Sequence, residues 1–242
     1  MKKFEKEFQI RSYECDKDGF LRILTLMNIL QDAADSSATL LGFGFDFCIQ
    51  NKLAWVGTNY HILINRLPLV HEKIKIITWP SGENKFMALR DFIITDESGA
   101  EIIKATSQWV LIDAVRKRPI SLKQYLPDYM YIDERILGTE FSKLSDVNNI
   151  SFEKEFESRF DDIDLNHHVN NGIYPLWASE ALPKDFHEQH LPSEIEISYK
   201  KECLAGQKVS VKTQIDCLQT LHAVSTLDGL DLARVRILWH QK

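Results

Sequence analysis

A chain of 242 residues with 44% hydrophobic and 26% charged residues can bury a core without cross-links, so neither a disordered chain nor a membrane protein fits. Its 29 Lys and Arg stand against 35 Asp and Glu, a net charge of −6 that excludes a nucleic-acid-binding field over the whole surface. The four cysteines, Cys15, Cys48, Cys203 and Cys217, lie far apart with no Cys-x-x-Cys pair, and read as reduced thiols of a cytoplasmic protein.

The amino terminus carries Lys2, Lys3, Glu5, Lys6 and Glu7 where a signal peptide would be apolar, and no run is long enough for a membrane span. A first strand there is followed by apolar residues at helical spacing: Leu24, Met27, Leu30, Ala34 and Leu41, with Asp32, Asp35 and Ser36 elsewhere. Gly42 supplies the stop. The period then changes to two through Ile62 and Ile64, Ile74 and Ile76, and Phe92 and Ile94. A turn at Asp96-Glu97-Ser98-Gly99 leads through Ile102 and Ile103 into Trp109-Val110-Leu111-Ile112. From Arg116 to Ser151 the pattern lapses around Pro119 and Pro127, as in a connector holding a domain boundary. The order then repeats: a strand over Phe156–Phe160, a polar turn, a helix through Trp177 to Leu182, and strands at Ile195–Lys201, Lys208–Ile215 and Leu232–Trp239.

Residue pairs support a duplication. An offset of 148 matches Glu7 with Glu155, Phe8 with Phe156, Arg11 with Arg159, Asp16 with Asp164 and Ala33 with Ala181. An offset of 135 matches Ile62 with Ile197, Lys73 with Lys208, Ile74 with Val209, Ile76 with Val211 and Thr78 with Thr213. A helix followed by antiparallel strands, made twice, predicts an α+β fold with each helix lying on a curved sheet.

The shared fold explains agreement between the copies, so function is sought where they differ. Asp16-Lys17-Asp18-Gly19-Phe20 becomes Asp164-Leu165-Asn166-His167-His168, and Leu67-Pro68 becomes Glu202-Cys203. A carboxylate, an amide and an imidazole enter a helix amino terminus, whose free N–H groups and dipole suit an ester or thioester oxyanion, and a second carboxylate is added in the same half. The plainer readings are that Asp164 or Asn166 caps the helix, that Glu202 pairs with Lys200 or Lys201, and that Cys203 is a buried structural thiol. Metal-ligand spacing is missing around His167 and His168. The calcium-loop start at Asp162-Ile163-Asp164-Leu165-Asn166 fails, with His167 at the glycine position and Ile173 at the glutamate position. No nucleophile elbow, phosphate loop or dinucleotide turn occurs. No metal or cofactor is expected.

The run Asp164-Leu165-Asn166-His167-His168-Val169-Asn170-Asn171, followed by Tyr199-Lys200-Lys201-Glu202-Cys203, resembles the acyl-acyl carrier protein thioesterases of bacteria and plant plastids. So do Leu26–Ala34, Leu53-Ala54-Trp55-Val56, Asn65-Arg66-Leu67-Pro68 and Ala88-Leu89-Arg90-Asp91-Phe92. The resemblance implies tandem hotdog domains whose sheets join. Residues 1–115 would bind the acyl chain, 116–150 would connect, and 151–242 would be catalytic.

The activity implied is hydrolysis of fatty acyl-acyl carrier protein. Glu202 would be the general base for water, Asp164 and His168 would hold and polarise that water, and Asn166 would help place the thioester carbonyl. The helix start at Val169–Asn171 would offer oxyanion donors. An older view of the family, ranked second, makes Cys203 the nucleophile with His168 as its base. The acidic carrier would meet basic residues drawn from Lys2, Lys3, Lys6, Arg116, Lys117, Arg118, Lys123, Lys200 and Lys201. An acyl-coenzyme A thioesterase and a non-catalytic acyl-binding sensor are the alternatives, and monomer and homodimer both stay open.

Overall fold

In the computed structural model, which describes residues 2–84, 86–126, 129–138 and 141–242, the chain divides into units spanning 1–140 and 141–242. In unit 1, β1 (Phe4–Gln9) precedes α1 (Ile23–Leu40), whose apolar face buries Leu26, Met27, Leu30 and Ala33. Burying each of the three larger side chains stabilises the unit by about 2 kcal/mol. Leu24 and Leu41, expected on that face, are only partly covered.

The helix ends at Gly42, which takes φ +85°. Its N–H donates to the Thr39 carbonyl while Phe43 N–H reaches back to Ala38, closing the terminus as the sequence predicted. A short α2 (Phe45–Asn51), not foreseen, then leads into β2 (Leu53–Ile64). Gly44 caps α2, and a Cβ there would stand 2.7 Å from the Thr39 Cα, so only glycine fits this close approach.

With β3 (Lys73–Glu83), β4 (Met87–Asp96) and β5 (Glu101–Asp113), unit 1 forms an antiparallel sheet in the order β1-β3-β4-β5-β2. The stretch expected as a connector carries β6 (Arg118–Pro119), paired with β5, and α3 (Leu122–Tyr125). It is also bonded to the sheet. Ile132 N–H donates to the Pro80 carbonyl, Trp79 Nε1 to the Glu134 carbonyl, and Ile136 N–H to the fully buried Asp91 carboxylate at 2.6 Å. Pro127 lies outside the described residues.

Unit 2 repeats the plan with β7 (Phe152–Glu157), α4 (Ile173–Glu180), α5 (Lys184–Gln189), β8 (His190–Tyr199), β9 (Lys208–Asp216), β10 (Gln219–Thr226) and β11 (Asp231–Gln241). Its strand order β8-β11-β10-β9-β7 is that of unit 1 read from the other end. The first strand of the unit lies earlier than predicted, because Phe160 already starts a 3-10 turn over Phe160–Asp162. Helix α4 has 8 residues against 18 in α1. Pro183 explains the difference, since it pushes Leu182 out of the helical region. Among the described residues no helix is long and apolar enough to cross a membrane.

His222 marks a polar knot in the core of unit 2. It is 1% exposed, with Nδ1 2.9 Å from Thr213 Oγ1 and Nε2 2.8 Å from Thr220 Oγ1, to which Trp239 Nε1 also donates. Burial pushes its pKa down to about 3, so the ring stays neutral in the folded protein and protonates first in the unfolded chain. Stability is therefore full above about pH 6.5 and falls by about 1.4 kcal/mol per unit as the pH drops toward the folded value. Denaturant titrations from pH 7 to 4 should show this slope and should lose it in His222→Phe. An unchanged slope in the variant would assign the acid sensitivity elsewhere.

Candidate active site

Both units build the same turn after their first strand. In unit 1, Asp16 Oδ1 accepts the N–H groups of Asp18 and Phe20 at 2.9 and 3.0 Å, and Leu21 N–H donates to the Pro68 carbonyl at 2.9 Å. In unit 2, Asp164 Oδ1 accepts those of Asn166 and His168 at 2.8 and 3.3 Å, and Val169 N–H donates to the Cys203 carbonyl at 2.9 Å. Gly19 at φ +85° is matched by His167 at φ +64°, a left-handed conformation that glycine adopts at lower cost. Unit 1 is thus a copy of the scaffold carrying the plainer side chains.

On this scaffold the side chains part company. His168 stands where unit 1 has Phe20, and Glu202 where it has the buried Leu67. The backbone bond from Val169 to Cys203 sets their preceding residues side by side, and His168 Nε2 meets Glu202 Oε2 at 3.0 Å. The imidazole is 21% and the carboxylate 44% exposed, so both reach solvent. A pair this open contributes at most about 1 kcal/mol to folding. The plainer pairing is not the one observed, since Lys200 Nζ bonds Asp231 at 3.0 Å.

The remaining predicted residues take different places. Asp164 closes the turn through backbone N–H groups, as Asp16 does, and thereby fixes the His168 backbone. Asn166 is exposed, and among the described residues its side chain makes no hydrogen bond to His168 or Glu202. Neither caps α4, whose N-cap is Gly172 without a side-chain cap bond, and Asn170 Oδ1 accepts the Gly172 N–H at 2.8 Å. Of the expected oxyanion donors, Val169 N–H and Asn170 N–H already bond the Cys203 and Asp162 carbonyls. Among the described residues Asn171 N–H has no such acceptor, and its carbonyl is held by Tyr199 Oη at 2.7 Å.

Cys203 is fully buried, with burial pushing its thiol up to about 11 and Sγ resting 3.7 Å from the Leu204 carbonyl. At neutral pH the thiolate fraction of such a group is about one in ten thousand. Cys203→Ser should therefore keep kcat within about five-fold, checked by steady-state turnover together with intact-mass analysis of the wild type. Complete loss in the variant, with an acyl group trapped on the wild-type thiol, would restore the nucleophile reading. Sequence reasoning missed Tyr174, 2% exposed, whose Oη accepts the Cys203 N–H at 3.1 Å and ties α4 to the segment after β8 that carries Glu202. No local pattern marks it, because the contact spans 29 residues.

Comparison with known proteins matches residues 1–129 to the acyl-ACP thioesterase N-terminal domain and residues 145–241 to the acyl-ACP thioesterase C-terminal domain. The chain is 29% identical to a chloroplastic palmitoyl-acyl carrier protein thioesterase of Gossypium hirsutum, covering 99% of this chain and 64% of that protein. It is 30% identical to the chloroplastic acyl-[acyl-carrier-protein] hydrolase FATB1 of Cuphea viscosissima, covering 97% of this chain and 61% of that one. The chain thus spans about three-fifths of the length of these relatives. The solved structure of the 12:0-ACP thioesterase from Umbellularia californica superposes with a TM-score of 0.89 at 26% identity, covering 99% of this chain and 98% of that one.

Proposed function

Because the chain belongs to the acyl-ACP thioesterase family, we propose that it hydrolyses the thioester between a fatty acyl chain and acyl carrier protein, releasing the free acid and the holo-carrier. Each unit is a hotdog, a helix lying on a curved antiparallel sheet, which is the α+β class expected from the sequence. The observation that carries the functional reading is the 3.0 Å pair of His168 and Glu202, set on a turn whose copy in unit 1 bears Phe20 and Leu67. That contrast also supports assigning the chemistry to residues 151–242, which leaves acyl-chain recognition to residues 1–115.

In this reading Glu202 takes a proton from water as the water oxygen bonds to the thioester carbon. His168, bonded to Glu202, orients that carboxylate and the water. The Asn171 N–H is the donor we assign to the oxyanion, at the entry to α4. Collapse of the tetrahedral intermediate breaks the carbon–sulfur bond, and the proton gained by Glu202 passes through His168 to the departing sulfur. Asp164 acts at one remove, by holding the backbone of His168, and to Asn166 we assign help in placing the thioester carbonyl.

Thiol release from a panel of acyl-acyl carrier proteins and the matching acyl-coenzyme A esters tests the proposal. A kcat/KM at least ten-fold higher for the carrier-protein esters is expected. Equal values would favour the coenzyme A reading, and no release by folded protein the sensor reading. For compartment we assign the cytoplasm, with its four free thiols as support, three of them buried.

A further inference from the structure

The turn that carries His168 also carries side chains the hydrolytic reading does not use. Phe160 is 94% exposed and Leu165 is 77% exposed, and the offset of 148 places Ser12 and Lys17 at these positions in unit 1. Both units fold the segment alike: Arg159 N–H is capped by Asp162 as Arg11 N–H is by Glu14. The apolar character is therefore not a requirement of the fold. Leu204, 49% exposed, is tied to the residue two before Phe160, its carbonyl accepting Ser158 Oγ at 2.8 Å.

These side chains project into solvent. A thin flexible arm is held in a groove, whereas protruding apolar groups mate with another protein's surface. Next to Glu202, Lys201 is exposed and has no carboxylate partner among the described residues, unlike Lys200, which bonds Asp231. Exposed Asp161 lies between Phe160 and Leu165, and exposed Lys208 stands opposite Glu157 across the β7–β9 pair. The rim thus offers apolar contacts among charges of both signs, with the Lys201 ammonium left to meet a carboxylate of the partner.

We propose that Phe160, Leu165 and Leu204, with Lys201 beside them, form the docking surface for the protein part of the thioester substrate, an acidic acyl carrier. This rests on the thioesterase reading above and assigns its macromolecular contact to the apolar rim of unit 2. Part of the basic set expected in that role from the sequence is engaged in ion pairs within the chain. Lys3 bonds Glu134, Lys6 bonds Asp32 and Lys123 pairs with Glu83.

The test is the double variant Phe160→Ser/Leu165→Ser, in which Phe160 takes the residue unit 1 tolerates at that place. Two substrates with the same acyl group are compared: acyl-acyl carrier protein and the acyl-pantetheine thioester, which keeps the arm and lacks the protein. Binding of apo-carrier, which has no arm, is measured separately by titration calorimetry. We expect KM for the carrier-protein substrate to rise at least ten-fold with kcat within two-fold, acyl-pantetheine hydrolysis to be unchanged, and apo-carrier binding to weaken in parallel.

An unchanged KM for the carrier-protein substrate would overturn the docking surface while leaving the hydrolase intact. An equal loss on acyl-pantetheine would overturn it in favour of contact with the arm. A wild type that binds apo-carrier through the rim yet hydrolyses nothing would support the surface and remove the thioesterase reading. A wild type that neither binds nor hydrolyses would remove both.

Discussion

Replacing Glu202 by alanine should lower kcat on acyl-acyl carrier protein about a thousand-fold while KM changes by no more than a few-fold. A positioned base contributes about 10²–10⁴ to such a step, and neither Cys203 nor Asp164 can replace it. The Cys203 thiol is buried and its pKa is raised, and the Asp164 Oδ1 is already held by backbone N–H groups. The loss should not come from unfolding. The carboxylate is 44% exposed and its pair with His168 is open to solvent, so melting should shift by only a few degrees. Steady-state turnover and thermal unfolding on one preparation separate the two causes. A rate within ten-fold of the wild type would remove Glu202 from the role of base.

His168→Phe should cost about a hundred-fold in kcat, and it gives unit 2 the side chain unit 1 carries as Phe20. The turn itself survives, because Asp164 bonds the backbone N–H of residue 168 whatever the side chain. What disappears is the Nε2 partner that lies 3.0 Å from Glu202. Retention of a wild-type rate would show that Glu202 orients water unaided.

The residues proposed for the site stand out in the sequence because the chain contains its own comparison. Asp16 against Asp164 marked what the turn needs, and Phe20 against His168 and Leu67 against Glu202 marked what it adds. Gly42, the alternating strands of unit 1 and the turn at Asp96–Gly99 were equally readable, being local signals. Strand β10 was not. The observed register pairs Phe92 with Thr78 and His222 with Thr213, so the offset drops from 135 to 130 across a shorter hairpin and hides the repeat. The bonding of residues 132–136 to β3 and Asp91 was out of reach for another reason: it is made mostly by backbone groups that leave no residue pattern. Asn171, Tyr174 and the burial of Cys203 depend in the same way on contacts distant in sequence.

The central claim is that thioester hydrolysis resides in the two side chains that distinguish unit 2 from unit 1. The most direct test is thiol release from acyl-acyl carrier protein by the wild type beside the double variant His168→Phe/Glu202→Leu, which restores both residues of unit 1. Turnover by the wild type, with none detectable from a variant that unfolds at a similar temperature, is the predicted result. A double variant that still releases thiol at an appreciable fraction of the wild-type rate would place the chemistry elsewhere in the molecule.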